Sequence, residues 1–148
     1  MFINDVGGSA FEEVNEGVAG ANYGWPIYEG AGTNPGFRFP IHSYSHEQGC
    51  AITGGAFYRP ARARFPKEWV GRYFFTEYCR GEIRWIDPAA PQRGEVFGTT
   101  RAPGPVDIRV GPDGDLFYLA RGNTAVTGGA HTSWGTVVRV SPAREAGH

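Results

Sequence analysis

The chain has 148 residues, 41% of them apolar and 20% charged, and a net charge of −1. That balance suits one globular core and excludes an extended disordered chain. It also gives no electrostatic basis for binding nucleic acid or an anionic membrane surface.

No apolar run approaches the roughly 20 residues that a membrane span needs. Thirteen of the fourteen basic residues are Arg, with only Lys67 as lysine, which we read as compositional bias rather than phosphate recognition. High Gly, Pro and aromatic contents point to short strands joined by tight turns.

No charged-then-apolar leader opens the chain; Met1 leads directly into "FINDVG" (2–7), a strand and its turn, so the chain is expected to begin inside a domain. "EEVNEG" and "NYGWPIYEG" read as a long loop. Glu12 and Glu13 could serve as paired carboxylates. Adjacent residues on an extended chain point opposite ways, however, so one is expected to be exposed and the pair to cap or anchor a loop. Trp25 reads as a packing residue, and the loop 27–39 as the place for carbohydrate stacking.

His42 and His46 have the i, i+4 spacing of a helical metal pair. Pro40, Ser43, Tyr44 and Gly49 make the segment extended or looped, without a typical zinc-ligand spacing around it.

"CAITGGAFYRP" (50–60) reads as a strand despite Gly54-Gly55. The two glycines mark either a bulge or a close approach by another backbone. "YFFTEYCRGEIRWIDP" (73–88) holds two strands and a turn. "PVDIRV" and "LFYLA" flank "GPDGD" and should form a hairpin with Ile108, Val110, Leu116 and Tyr118 on one face. An insertion at 124–133, with His131 inside it, precedes the strand in "WGTVVRVSP" (134–142). Neither His131 nor His148 has a partner by sequence.

Phe74 and Phe117 lie 43 residues apart in similar aromatic strands. A repeat of about 40–45 residues with several strands per unit is the spacing of propeller blades. The expected class is all-β, a partial β-propeller of about two and a half blades. The divisions are a blade remnant at 1–40, blades at 41–100 and 101–142, and a tail at 143–148. Propellers use roughly four to eight blades, so the chain is expected to meet missing N-terminal blades or to self-associate through free strand edges.

Antiparallel pairing with Tyr58 opposite Arg72 brings Cys50 within about one residue of Cys79, within reach of a disulfide. Two buried free thiols are the alternative. A bridge would imply an oxidising compartment.

Four strings in this order, "INDVGGSAFEEVNEGVAGANYGWPIYEG", "CAITGGAFYRP", "GRYFFTEYCRGEIRWIDP" and "PVDIRVGPDGDLFYLAR", resemble the C-terminal half of the glucose/sorbosone dehydrogenase family. Those proteins are six-bladed propellers, many of them secreted or periplasmic quinoproteins. The resemblance runs from Phe2 to about Pro142. It implies sugar oxidation with pyrroloquinoline quinone (PQQ) and calcium, in an extracellular or periplasmic protein. A histidine takes the sugar hydroxyl proton, hydride passes to the quinone, and calcium polarises the quinone carbonyl.

Carried over residue by residue, the resemblance puts the carbonyls of Gly7 and Gly8 at the calcium position. Cys79 stands where cofactor-bearing members carry Lys, and Val106 and Gly104 where they carry Arg. Arg80 and Arg101 are then the cations near enough to meet the quinone carboxylates. The histidine base belongs to the family's N-terminal half. The expected protein is thus a C-terminal fragment of a sugar-oxidising quinoprotein, without turnover of its own. Two alternatives remain: a non-catalytic propeller module that binds a protein or glycan, as in the hedgehog-interacting proteins, and an unrelated small β domain.

Overall fold

A computed structural model describes residues 1–122 and 135–143. The insertion at 124–133 and the last five residues, including His131 and His148, lie outside the described residues. The described strands form three antiparallel sheets. The first has the order β1-β2-β3, from β1 (Phe2–Asp5), β2 (Phe11–Glu16) and β3 (His42–Ser45). The second has the order β4-β5-β6-β7, from β4 (Ile52–Phe57), β5 (Tyr73–Glu77), β6 (Glu82–Asp87) and β7 (Ala90–Thr99). The third has β8 (Pro105–Val110) paired with β9 (Leu116–Ala120), which pairs with β10 (Thr136–Val140). This is a partial β-propeller, as the repeat implies. The strand at 42–45 pairs with β2 and so stands in the first sheet, beyond the 40/41 division.

Aromatic and β-branched residues form the sheets and fill the space between them. Ile108, Leu116 and Tyr118 are buried with Tyr58, Phe74 and Ile83 between the second and third sheets, with Val110 packed against them. The hairpin face read from the sequence is therefore the inner face. Val14, Tyr44, Ile52, Tyr73, Phe75 and Ile86 form the second cluster, between the first and second sheets.

The segment "EEVNEG" (12–17), read as loop, instead lies almost wholly in β2, the central strand of the first sheet. Its pattern misleads because Glu12, Glu13 and Asn15 are buried beside Val14. The expectation that one of the two glutamates is exposed fails for the same reason. Each carboxylate receives backbone N–H groups from a covering segment. Ile52 N–H donates to Glu12 at 2.7 Å and Gly30 N–H donates to Glu13 at 2.5 Å. Charge-assisted bonds of this kind offset the cost of burial.

Gly54-Gly55 answers to both readings of the "ITGGAF" strand. Above the pair, Ala56 lies opposite Phe74 and Phe57 opposite Tyr73. Below it, Thr53 lies opposite Thr76 and Ile52 opposite Glu77, an offset of one residue. Gly54 sits at φ +54°, and a Cβ on it would fall 2.6 Å from the Cα of Asp107. The bulge thus coincides with the closest approach of β8. The same offset puts Cys50 level with Cys79, and the two form a disulfide with a Cα separation of 5.7 Å.

Candidate cofactor face

Strand alternation collects the candidate residues at one end of the sheets. Phe11 lies opposite Ser45, Ile52 opposite Glu77, Glu82 opposite Thr99, and Pro105 opposite Ala120. The β1–β2 turn, the β3–β4 and β7–β8 crossovers and the β5–β6 turn therefore all emerge on the same rim. Backbone hydrogen bonds stitch neighbouring loops together: His46 N–H to Ala10 at 2.9 Å, Tyr78 N–H to Ala51 at 2.9 Å, and Thr100 N–H to Gly81 at 2.7 Å. Gly7, Gly8, Arg80, Arg101 and the disulfide all belong to this rim.

The Gly7–Gly8 turn is built around Glu29, a residue that sequence reasoning passed over. One carboxylate oxygen of Glu29 accepts the N–H groups of Ser9, Ala10 and Phe11 at 3.0, 2.7 and 2.9 Å. The bonds from Phe11, Ala10 and Ser9 hold its pKa down to about 2, so the group is an anion at neutral pH. A Cβ at Gly7 would lie 1.8 Å from the Phe11 carbonyl and 2.3 Å from the Glu29 carboxylate, so only glycine fits. Neither Gly7 nor Gly8 offers its carbonyl to a hydrogen bond among the described residues. Carbonyls without a hydrogen-bond donor are ligands that a hard cation can use.

Trp25 is 67% exposed, with its indole edge over Gly8. The packing role read for it is not what the structure shows. Ile27 beside it is 71% exposed. Tyr28 carries the packing instead, against Phe37 and Phe39.

Arg80 is anchored by its N–H to Glu77, and its guanidinium donates to the Glu47 carbonyl. Arg101 is held through its backbone N–H, 2.9 Å from the buried Tyr118 hydroxyl. Its side chain lines a cleft of about 480 Å³ between the second and third sheets, with Phe97, Tyr118 and Val138. The two arginines thus sit on successive loops of one rim, yet Arg80 is already engaged. Gly104 is at φ +63°, and a Cβ there would meet the Tyr78 ring at 2.9 Å. A side chain of any size is excluded from that position.

His42 and His46 do not form a metal pair. His42 Nδ1 donates to the Pro91 carbonyl at 3.0 Å, while His46 Nε2 meets Glu12 at 2.7 Å. They are drawn to different sheets.

Solved sugar dehydrogenases share this arrangement of sheets. The PQQ-bound aldose sugar dehydrogenase of Streptomyces coelicolor is 22% identical, with a TM-score of 0.70 over 95% of this chain and 39% of its own. The soluble aldose sugar dehydrogenase of Escherichia coli, in its apo-form, is 22% identical with a TM-score of 0.70, over 96% of this chain and 41% of its own. A putative oxidoreductase (glucose dehydrogenase) of Thermus thermophilus is 25% identical with a TM-score of 0.65, over 93% of this chain and 39% of its own.

The chain has the propeller fold of the sugar dehydrogenases.

It spans about two fifths of those solved chains. Among curated proteins, the HIPL1 protein of Arabidopsis thaliana is 30% identical over 117 residues, 66% of this chain and 16% of that protein. No family model matches the chain. Among the described residues, no helix is long and apolar enough to cross a membrane.

Proposed function

We propose that this chain supplies part of the cofactor face of a PQQ- and calcium-dependent sugar dehydrogenase, with sugar as its substrate class and an extracellular or periplasmic setting. The observation that supports this reading is the Gly7–Gly8 turn, whose following N–H groups are gathered by the anionic Glu29 and whose two glycine carbonyls accept no hydrogen bond among the described residues, on a rim shared with Arg80 and Arg101. The bound quinone would supply the hydride acceptor, its carbonyl polarised by calcium.

The chain's own part is narrower. Gly7 and Gly8 would hold calcium through their carbonyls, and Glu29 fixes the turn that presents them. Arg101 and, once released from Glu47, Arg80 would neutralise anionic groups of the cofactor. Cys79 is tied in the disulfide and cannot replace the cation expected at its position. No histidine in the described part reaches the Gly7–Gly8 turn as a free base, since His46 is bound to Glu12 and His42 to Pro91. Proton abstraction by a positioned base is worth about 100- to 10,000-fold in rate. Alone, the chain is therefore a calcium-binding scaffold rather than a catalyst.

Two measurements test this. Calorimetric titration should show calcium binding to the purified chain that is lost in Glu29→Ala; no binding by the wild type would overturn the assignment of Gly7 and Gly8. A dye-reduction assay with glucose and other aldoses, PQQ and calcium should show no turnover. Chelator-sensitive turnover above a no-protein control would overturn the scaffold reading.

A second reading, a non-catalytic propeller module that binds a glycan or protein, is favoured by the exposed Trp25 over Gly8 and the exposed Ile27 two positions along the same loop. It predicts quenching of Trp fluorescence by oligosaccharides, abolished in Trp25→Ala.

A further inference from the structure

We propose that the reduced Cys50–Cys79 pair, together with Glu77, is a capture site for a thiophilic divalent cation, separate from the Gly7–Gly8 turn and independent of any quinone. Both sulfurs and a Glu77 carboxylate oxygen lie within 4.8 Å of one another. The cysteines are exposed while Glu77 is fully buried, so the site is open on the thiol side and closed on the carboxylate side.

What holds the three groups together is not only the sulfur–sulfur bond. Glu77 accepts the N–H groups of Cys50 and Ala51 on one oxygen, at 2.7 and 2.9 Å, and that of Arg80 on the other. Tyr78 N–H donates to Ala51 at 2.9 Å, and the β4–β5 ladder continues below. Cutting the disulfide leaves all of these bonds in place. The two thiols then stay on facing segments with a Cα separation of 5.7 Å. Two thiolates on one tetrahedral ion need sulfurs roughly 3.8 Å apart, from metal–sulfur bonds of about 2.3 Å. A small side-chain rotation supplies that.

The Glu77 oxygen that accepts only the Arg80 N–H keeps a lone pair for the ion. Two sulfurs and one oxygen favour borderline or soft ions such as zinc or cadmium over calcium. The chemistry balances. A phosphine reductant and one water convert the disulfide to two thiols and a phosphine oxide, and the cation then displaces one proton from each thiol.

The test uses the chain reduced with a water-soluble phosphine, freed of excess reductant without oxygen and titrated with cadmium. The expected result is an ultraviolet thiolate-to-cadmium charge-transfer band that saturates at one ion per chain. The oxidised protein, Cys50→Ser and Cys79→Ser should each lack the full band. Glu77→Gln should keep the band and lose about tenfold or more in affinity, with its β-sheet circular dichroism checked alongside. No band in the reduced wild type, or an undiminished band in Cys79→Ser, would overturn the site. So would loss of sheet structure on reduction before cadmium is added. Unchanged affinity in a folded Glu77→Gln would overturn the role given to Glu77.

Discussion

Glu29 receives three successive backbone N–H groups on one oxygen, which makes its negative charge a condition of the Gly7–Gly8 turn. Its folded pKa of about 2 lies below the ordinary value of 4.5. The stabilisation is therefore complete above the ordinary value and is lost as pH falls toward the folded one. Thermal unfolding of wild type and Glu29→Gln across that range should show a gap that is constant near neutrality and closes in acid. His42 behaves as a base held neutral. Burial lowers its pKa below 6.5, so protons favour the unfolded chain and stability should fall as pH drops through 6.5. An NMR titration in which the His42 ring protonates above 6.5 would contradict this. Tyr118 accepts from the N–H groups of Arg101 and Ala102 at 2.9 and 3.1 Å. Tyr118→Phe leaves both without a partner and should cost about 1–3 kcal/mol in chemical denaturation. None of these three roles was legible in the sequence. Each depends on which backbone groups a distant loop delivers, and residue type does not encode that.

Among the elements, those with an apolar rhythm were readable, and the one whose rhythm is polar was not. The β8–β9 hairpin announced itself through alternating Ile108, Val110, Leu116 and Tyr118 around a Pro-Asp-Gly turn. β2 did not, because "FEEVNE" carries carboxylates where a central strand ordinarily carries apolar side chains. The disulfide was readable to within one residue, and the missing residue is the bulge in β4. It closes a loop between positions separated by 29 residues, worth about 3–4 kcal/mol in the chain-entropy model. Denaturation of the Cys50→Ser, Cys79→Ser double variant should show a loss of that order. Recovery of two alkylatable thiols from unreduced protein would show that the bridge does not form.

At the scale of the whole molecule, β4 and β8 run side by side in the same direction, with Thr53 bonded to Pro105 and Arg109 to Gly55. β1 meets β4 in the opposite direction, with Phe2 against Phe57 and Asn4 bonded to Gly54. β1 therefore holds the place in its sheet that β5 and β9 hold in theirs, and its outer edge carries no neighbouring strand among the described residues. An open edge of this kind recruits another strand. Sedimentation over a concentration series should show association beyond the monomer; a compact monomer at every concentration would argue against it. The roughly 43-residue repeat made the propeller readable. The way the first sheet reaches forward to take the strand at 42–45 was not, since four residues with one aromatic among them carry too little pattern to show their partner.

The two glycines of β4 also decide the odd–even parity of the strand. Ile52 and Phe57 are five positions apart and in a regular strand would face opposite ways, yet both pack into the cluster between the first and second sheets. The extra residue turns an odd separation into an even one. A strand straightened at its present length would invert every side chain from Cys50 to Thr53 relative to those beyond, moving Ile52 out of the core and Cys50 away from Cys79. Deleting one glycine would instead remove the extra residue and leave Ile52 and Phe57 an even separation apart on the same face.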